Sequence, residues 1–474
     1  MEEKEQNIEK YNTFRKQYPE FIYDGYELLE EEEELKIRYH FQIPGLARFS
    51  PSWSFPRRGK QKKALREAFV FSLGMVELIS YWKITCSPHV VVKAGHLSQE
   101  QIRWWKELYF HGLGEFFYVN QIRDVDPEQF MEITVCSGSQ EEQGEPGAEE
   151  GDKGFNPGEM GRALVPIGGG KDSAVTLELL KEAGVSCYGY VINPRGATIQ
   201  TAEAAGIPNE QMILVKRTLD KNMLELNRQG FLNGHTPFSA IVAFSSLIAA
   251  ELYSLPYIAL SNESSANEST ISGSTVNHQY SKSFPFEKAF HQYTRSYLPG
   301  SSYYFSLLRP LSEFQIARYF AGKKQYHTIF RSCNVGSKED AWCGHCPKCL
   351  FVCLILSPFL SREEVVRIFG RDMLEDEALY PLLEKLTGLL EEKPFECVGS
   401  REEVNTAIAL TIQRLEREKE PLPKLLERYK KTGLYGRYHR HGERLLRYFD
   451  EENLVPEPWK SLVRERCLGD VEEA

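Results

Sequence analysis

Long hydrophobic runs are missing from this chain of 474 residues. Because no stretch of about 20 residues is continuously apolar, we expect no membrane insertion. The first ten residues, MEEKEQNIEK, carry neither the apolar core of a secretory signal nor the arginine-rich face of a transit peptide. The sequence therefore predicts a cytoplasmic protein.

Positive charge is also in short supply. The chain has 57 lysines and arginines against 67 acidic residues, which gives a formal net charge of −10. Domains that bind nucleic acid usually carry a strong basic field. We therefore expect no nucleic-acid partner, and any anionic ligand must meet a local basic pocket.

Cysteine is sparse, with ten residues in the whole chain, too few for a disulfide framework. Four of them are crowded together as Cys333, Cys343, Cys346 and Cys349, a spacing that supplies four soft ligands for a tetrahedral metal site. Zinc is the first expectation, and an iron–sulfur cluster stays open because thiolate spacing alone does not exclude it. His345 offers a substitute ligand.

Composition divides the chain into four segments. Residues 137–162 are rich in Gly, Glu, Pro and Gln and are predicted to be a flexible linker. Strand and helix patterns before it predict a smaller α+β domain over residues 1–136. Alternating strands and helices over residues 163–357 predict an α/β fold, a parallel sheet with helices on both faces. Residues 358–474 have the pattern of a helical tail.

The segment LVPIGGGKDSAVTLELL, residues Leu164–Leu180, joins a predicted strand to a predicted helix through three glycines. Such a junction aims backbone N–H groups at one point beside a positive helix end, which is a common way to bind phosphate. It is not a Walker A loop, because Asp172 follows Gly170-Lys171, and it departs from the dinucleotide fingerprint, which requires glycine at the position of Ser173.

Each residue of GGGKDS has a physical role in such a site. Glycines let the backbone approach the ligand, the Ser173 hydroxyl donates to phosphate, Lys171 adds charge, and Asp172 can hold Mg²⁺ or cap the helix. A dinucleotide site would need an acid after the next strand, where Asn193 stands instead. The predicted nucleotide-binding residues are Gly168, Gly169, Gly170, Lys171, Asp172, Ser173 and Asn193.

Polar stretches between the glycine loop and the cysteines supply the remaining candidates. The density of hydrogen-bond donors and titratable groups there favours a functional site over ordinary surface residues. The predicted substrate-binding residues are Asn233, His235, Asn262, Asn267 and Arg309, although Asn233 could merely cap a helix. The candidates for proton transfer are His278, Tyr280 and Lys282, with Glu263 next, and the sequence leaves the acid/base pair open.

Two resemblances join these features. GGGKDS resembles the PP-loop of the ATP pyrophosphatases, and the Cys-x-x-Cys-x-x-Cys run resembles the structural zinc site of the 7-cyano-7-deazaguanine synthase branch. The ordered set VPIGGGKDS, LNGHTP, SNESSANE, VNHQYSKS, RPLSE, SCN, WCGHCPKC and KPFECVG resembles the UDP-N-acetylmuramoyl-L-alanyl-L-glutamate epimerase family of bacterial cell-wall synthesis over nearly the whole chain.

The resemblance implies a PP-loop (HUP-like) fold and an isomerase. Its substrate would be UDP-N-acetylmuramoyl-L-alanyl-L-glutamate, whose terminal L-Glu would become D-Glu. ATP and Mg²⁺ would drive the reaction through a carboxyl adenylate, with release of AMP and pyrophosphate. Two alternatives stay open, a PP-loop enzyme that modifies tRNA or a nucleobase and a non-catalytic nucleotide-binding module.

Overall fold

The structure, a computed structural model, describes residues 2–57, 65–123, 125–136, 161–268 and 277–468. Strands from these residues form one mixed sheet with helices on both faces, so the predicted α/β class is confirmed. All but the last two residues of the predicted linker, 137–162, lie outside the described residues. None of the described helices combines the length and hydropathy needed to cross a membrane.

The strands are β1 (Glu20–Glu30), β2 (Glu34–Ile43), β3 (Ala47–Phe49), β4 (Ser52–Pro56), β5 (His89–Val92), β6 (Glu132–Val135), β7 (Arg162–Pro166), β8 (Ser186–Ile192), β9 (Met212–Thr218), β10 (Tyr257–Leu260) and β11 (Tyr303–Ser306). The first helices are α1 (Glu2–Gln17), α2 (Glu67–Trp82), α3 (Gln99–Gly112), α4 (Gly114–Val119), α5 (Lys171–Glu182), α6 (Gly196–Ala204), α7 (Lys221–Arg228), α8 (Phe238–Tyr253) and α9 (Phe284–Tyr297). The later helices are α10 (Glu313–Ala321), α11 (Pro347–Leu356), α12 (Arg362–Phe369), α13 (Tyr380–Thr387), α14 (Arg401–Glu418), α15 (Lys424–Lys430), α16 (Leu434–Tyr438), α17 (Gly442–Leu446) and α18 (Glu457–Leu468).

Five neighbouring strands form the predicted parallel sheet, in the order β11-β10-β7-β8-β9. The first of these strands along the chain, β7, lies in the middle, and β8 and β9 follow on one side while β10 and β11 lie on the other. In such sheets ligands bind in the crevice beyond the strand ends where the order reverses. Here that crevice lies between the ends of β7 and β10.

The predicted N-terminal α+β domain extends this same sheet. Strand β4 pairs antiparallel with β9, in the register Ser52↔Thr218 and Ser54↔Lys216, and β2, β1, β5 and β6 follow in order outward from β4. Residues of α2 and α3 share one hydrophobic core with residues of α8 and α9. The N-terminal region is therefore built onto the central one and does not bury its core alone.

Alternation along the strands divides the interior into two cores. Along β7, Leu164 faces the core that contains α2 and α8, whereas Ala163 and Val165 face a second core, because successive side chains point to opposite faces of a sheet. The second core contains α5, α10, α11 and the helical tail. Cys353 is buried in it, so this cysteine belongs to the core. The tail is thereby packed on the sheet near the crevice.

Candidate functional site

The glycine loop lies at the crevice, between the end of β7 and the start of α5. Gly169 has a φ of +81°, and an added Cβ would lie 3.1 Å from the Cβ of Ala197. At Gly170 an added Cβ would lie 2.8 Å from the Ser332 hydroxyl. Glycine is therefore required at position 169 by conformation and close contact, whereas at position 170 a side chain would have to displace the Ser332 hydroxyl.

The start of α5 is open toward the crevice. No described side chain caps this helix, and space is free within 4 Å of the position that a Cβ of Gly168 would take. The Ser173 hydroxyl lies at the same turn, where it donates to the carbonyl of Gly170 at 3.0 Å. Uncapped N–H groups at the positive end of a helix are a ready anion site, so the loop fits a phosphate group.

Three carboxylates meet beside this loop. One oxygen each from Asp172, Glu263 and Glu313 lie within 4.8 Å of one another. Asp172 is in the first turn of α5, Glu263 follows β10, and Glu313 begins α10, so the reversal of strand order brings the first two together. Lys171 is buried and forms ion pairs with Asp172 and Glu313. We call these three carboxylates the acidic cluster.

Burial opposes ionisation of the carboxyl groups in and beside the acidic cluster. Burial acts to raise the pKa of Asp172, but Lys171 lowers it below its ordinary value. Burial raises the pKa of Glu313 to about 7, and burial together with the neighbouring Glu313 raises the pKa of Glu403 to about 7. Oxygen ligands are what Mg²⁺ prefers, and a bound cation would favour the ionised forms. The cluster therefore fits Mg²⁺.

A second group of titratable side chains lies next to the acidic cluster. His278 hydrogen-bonds both the Glu115 carboxylate and the Cys397 thiol, and His235 contacts the same Glu115 carboxylate at 3.1 Å. Lys282 Nζ lies 3.2 Å from Cys397 Sγ. Glu115 comes from α4 and Cys397 from the segment before α14. All three parts of the chain thus contribute to what we call the thiol cluster.

Charge is strongly redistributed in the thiol cluster. Burial acts to raise the pKa of Cys397, but Lys282 and His278 outweigh it and lower the pKa to about 6. Burial acts to lower the pKa of His278, but Cys397 and Glu115 raise it to about 9. Burial and His278 lower the pKa of His235 to about 4. Near neutral pH the cluster therefore holds a thiolate beside an imidazolium.

Two lysines connect the clusters. Burial acts to lower the pKa of Lys282, but the negative charges of Cys397, Glu263 and Asp172 outweigh burial and raise this pKa. Lys348 donates to the carbonyl of Cys397 and also lowers the pKa of Asp172. The glycine loop, the acidic cluster and the thiol cluster are therefore parts of one continuous site.

Arg309, predicted to bind substrate, is fully buried. It donates to Glu287 at 3.0 and 3.1 Å and to the carbonyls of Glu263 and Lys282. With its guanidinium engaged in this way, Arg309 holds two segments of the site in place. These hydrogen bonds give Arg309 a positioning role, and the substrate contact expected from sequence stays a prediction.

The Arg309–Glu287 pair yields a stability prediction. We expect Arg309→Met to lower the free energy of unfolding by about 3–5 kcal/mol, because the buried Glu287 carboxylate would lose its charged partner. Urea unfolding followed by circular dichroism measures the change. Lys288→Met, at an exposed position of the same helix, is the matched control and should leave the midpoint almost unchanged. An equal midpoint for both variants would contradict the role given to Arg309.

The remaining predicted residues are spread more widely. Asn262 donates to the Ser306 hydroxyl at 3.1 Å, and the Asn267 side chain accepts from the N–H of Phe284 at 2.8 Å. The Asn193 amide bridges to the backbone of Arg217. The Asn233 side chain accepts from the N–H of Gly234 at 2.8 Å. These contacts support loops around the site and leave ligand contact as a prediction.

Tyr280 packs against aromatic side chains. Its ring stacks on His111 at 4.9 Å between centroids and meets the edge of Phe286. Burial raises the pKa of its hydroxyl to about 12.

Two serines of the segment after β10, Ser261 and Ser265, have buried hydroxyls with no partner among the described residues. Unpaired buried hydroxyls are costly, so these two are better placed than Tyr280 to meet a ligand.

The four predicted metal ligands come together. Sulfur–sulfur distances are 3.8 Å for Cys333 and Cys346, 3.7 Å for Cys343 and Cys349, and 3.5 Å for Cys346 and Cys349. Zinc–sulfur bonds of about 2.3 Å would place the sulfur atoms of a tetrahedral site about 3.8 Å apart. The arrangement therefore fits zinc. His345 is exposed and its ring contacts the carbonyl of Cys343.

The cysteine group is attached to the glycine loop. Arg331, two residues before Cys333, donates its backbone N–H to the carbonyl of Gly169 at 2.7 Å. Lys348 lies between Cys346 and Cys349 and reaches the thiol cluster. A metal held by the four sulfurs would thus fix the loop contact and the bridging lysine together.

Comparison with known proteins assigns the chain to a family. Residues 12–307 match the family model described as MurL N-terminal domain, and residues 329–433 match the one described as MurL C-terminal domain. The chain belongs to the MurL family. The MurL N-terminal match includes the glycine loop and most of the predicted N-terminal region, in agreement with the sheet that joins them.

Three curated relatives carry one name, UDP-N-acetyl-alpha-D-muramoyl-L-alanyl-L-glutamate epimerase. The Xanthomonas oryzae protein is 36% identical over 77% of this chain and 79% of its own length. The Micromonospora protein is 35% identical over 72% of this chain and 74% of its own. The Salinispora tropica protein is 35% identical over 71% and 72%. The family resemblance expected from sequence is thereby confirmed.

Several site residues carry little signal in the sequence. The sequence pattern around Glu115 indicates only a helix. Glu313 has the pattern of an ordinary first-turn acid after the Ser312 cap, and Cys397 is a single cysteine with no ligand spacing around it. Only its place in KPFECVG, among the motifs of the MurL family resemblance, marks Cys397. Lys348 is hidden between two of the predicted metal ligands.

Proposed function

We propose that this chain inverts the terminal L-Glu of UDP-N-acetylmuramoyl-L-alanyl-L-glutamate to D-Glu, with ATP as co-substrate. The relatives' names supply the substrate. The observation that carries the proposal is the continuity of a phosphate-fitting loop with the thiol cluster through Lys282. A reaction that first activates a carboxylate and then moves a proton at the neighbouring carbon needs both parts side by side.

The need for ATP follows from the chemistry of a peptide-linked glutamate. Its terminal α-carboxylate is negatively charged, so loss of the Cα proton would place a second negative charge beside it. Transfer of AMP to the carboxylate removes that charge and makes an acyl group that can delocalise the electron pair as an enolate. Proton removal on one face and proton return on the other then invert the centre. Hydrolysis releases AMP.

The residues of the site divide between the two half-reactions. The N–H groups of the glycine loop and Lys171 would bind the pyrophosphate that leaves. Asp172, Glu263 and Glu313 would hold Mg²⁺, which neutralises phosphate charge. Glu263 thus moves from the proton-transfer candidates to the metal site, while His278 and Lys282 stay on the side of the site that would serve proton transfer. Zinc on the four cysteines would be structural.

The substrate is tested by analysis of glutamate configuration. Incubate the protein with ATP, Mg²⁺ and the nucleotide-linked dipeptide, hydrolyse the product and separate the glutamate enantiomers. We expect D-Glu to accumulate. L-Alanyl-L-glutamate without the nucleotide, and free L-Glu, should react at much lower rates because remote binding energy positions the reacting carboxylate. Equal rates for free L-Glu and the nucleotide-linked substrate would contradict the proposal.

A further inference from the structure

We infer that the Sγ atom of Cys397 takes the Cα proton of the activated glutamyl residue, an inference that rests on the proposed function. Cys397 was absent from the residues expected to transfer protons. Its thiol is partly exposed, and Cys397 lies in the segment between α13 and α14, where it contacts both His278 and Lys282.

The surroundings of Cys397 are those of a reactive thiol. Lys282 Nζ at 3.2 Å and His278 both hydrogen-bond the sulfur, and Lys348 binds the carbonyl of the same residue. Glu115 also binds His278, at its Nδ1 atom. Reactive cysteines are found in partly exposed positions beside lysine or protonated histidine, whereas structural buried cysteines are inert.

A buried polar atom with no partner among the described residues lies close to Cys397. Gln279 is buried, with 5% of its surface exposed, and it follows His278 directly. Its amide nitrogen approaches the carbonyl of Val398 at 3.5 Å, next to Cys397, while its Oε1 atom has no partner among the described residues. A buried amide oxygen of this kind usually has a donor. The amide N–H of a bound dipeptide would supply one.

The proposed step balances without a further reactant. The Cα–H bond breaks as an S–H bond forms, and the electron pair of the Cα–H bond passes into the adenylated acyl group as an enolate. A proton drawn from water adds to the opposite face of the enolate. The thiol of Cys397 then gives its proton to the hydroxide that this leaves, which restores both the thiolate and the water molecule. His278 and Lys282 stay protonated throughout and stabilise the thiolate as positioning residues.

Cys397→Ser in the full-length protein separates the two half-reactions. We expect epimerisation and deuterium exchange at Cα to fall by about 10²–10⁴-fold, the usual contribution of a positioned acid or base. Substrate-dependent AMP and pyrophosphate formation in a single turnover should stay near the wild-type rate. Cys136→Ser is the matched control, because Cys136 is an exposed thiol at the end of β6, and it should keep both activities.

Alkylation of the folded wild-type protein provides a test without a substitution. Iodoacetamide labelling of Cys397, followed by peptide mass spectrometry, should show an inflection near pH 6, whereas an ordinary thiol titrates near about 8.5. Loss of epimerisation should keep pace with labelling of Cys397. In Lys282→Met the inflection should move upward, because the sulfur loses a positive charge 3.2 Å away.

The outcomes distinguish this inference from the proposed function. Absence of epimerisation in the wild-type protein would overturn the proposed function. Epimerisation near the wild-type rate in Cys397→Ser, or in alkylated protein, would overturn the inference alone. Joint loss of AMP formation and epimerisation in Cys397→Ser, with the fold intact, would also overturn it, since the thiol would then serve activation and not proton transfer.

Discussion

Asp172→Asn lowers AMP formation by about 10²–10³-fold and leaves the chain folded. The size is that expected when one preorganised charge is removed from an active site. Asp172 is the member of the acidic cluster in the first turn of α5, and the amide keeps its shape while it loses the charge that would bind Mg²⁺. Ser173→Ala should act in the same direction, because its hydroxyl lies at the same turn.

The measurement for these variants is the release of AMP with the nucleotide-linked substrate. Glu203→Gln provides the matched control, because Glu203 is exposed on the neighbouring helix α6 and lies outside the acidic cluster. Circular dichroism and thermal unfolding should be alike for all the variants. Turnover at the wild-type rate in Asp172→Asn would remove both the phosphate loop and the Mg²⁺ site from the proposed function.

Cys346→Ser should have the largest effect on stability. Elemental analysis of wild-type protein is expected to give about one zinc per chain, and apparent binding energies of structural zinc sites are about 10–16 kcal/mol. Loss of one sulfur ligand should therefore release zinc and unfold the segment around α11. AMP formation should fall as well, because the segment that donates to Gly169 and the bridging Lys348 both depend on that site.

Zinc content and thermal unfolding measure this effect. Cys136→Ser should keep both its zinc and its unfolding temperature, because this exposed cysteine lies outside the sulfur group. A brown protein with an iron absorption band would replace zinc by an iron–sulfur cluster. A structural metal site would be contradicted altogether if colourless protein that contains no metal unfolded at the same temperature as the wild type.

The local features of the site could be predicted from sequence because their residues are contiguous. The glycine loop and the three cysteines spaced by two residues each define their geometry over a few positions. The parallel order of β7, β8 and β9 follows from strands that alternate with helices. The pairing of β4 with β9 could not be predicted in this way, because no short-range pattern records which strand edges meet.

The thiol cluster shows the same limit more sharply. Glu115, His278 and Cys397 lie more than a hundred residues apart along the chain, and only the packing of the N-terminal region and the helical tail around the sheet brings them together. The sequence predicted His278 and Lys282 through the density of polar groups around them. It offered no comparable signal for their partners, whose local patterns indicate ordinary helices and loops.

The central claim is that ATP activates the carboxylate so that Cα can exchange its proton. It is tested by incubation of the protein with UDP-N-acetylmuramoyl-L-alanyl-L-glutamate and Mg²⁺ in D₂O, with and without ATP. With ATP, mass spectrometry should find deuterium at Cα of the D-glutamyl product, and AMP and pyrophosphate should appear in place of ADP. Without ATP, neither inversion nor exchange is expected. Epimerisation that proceeds without ATP would contradict the adenylation chemistry and leave GGGKDS without a role.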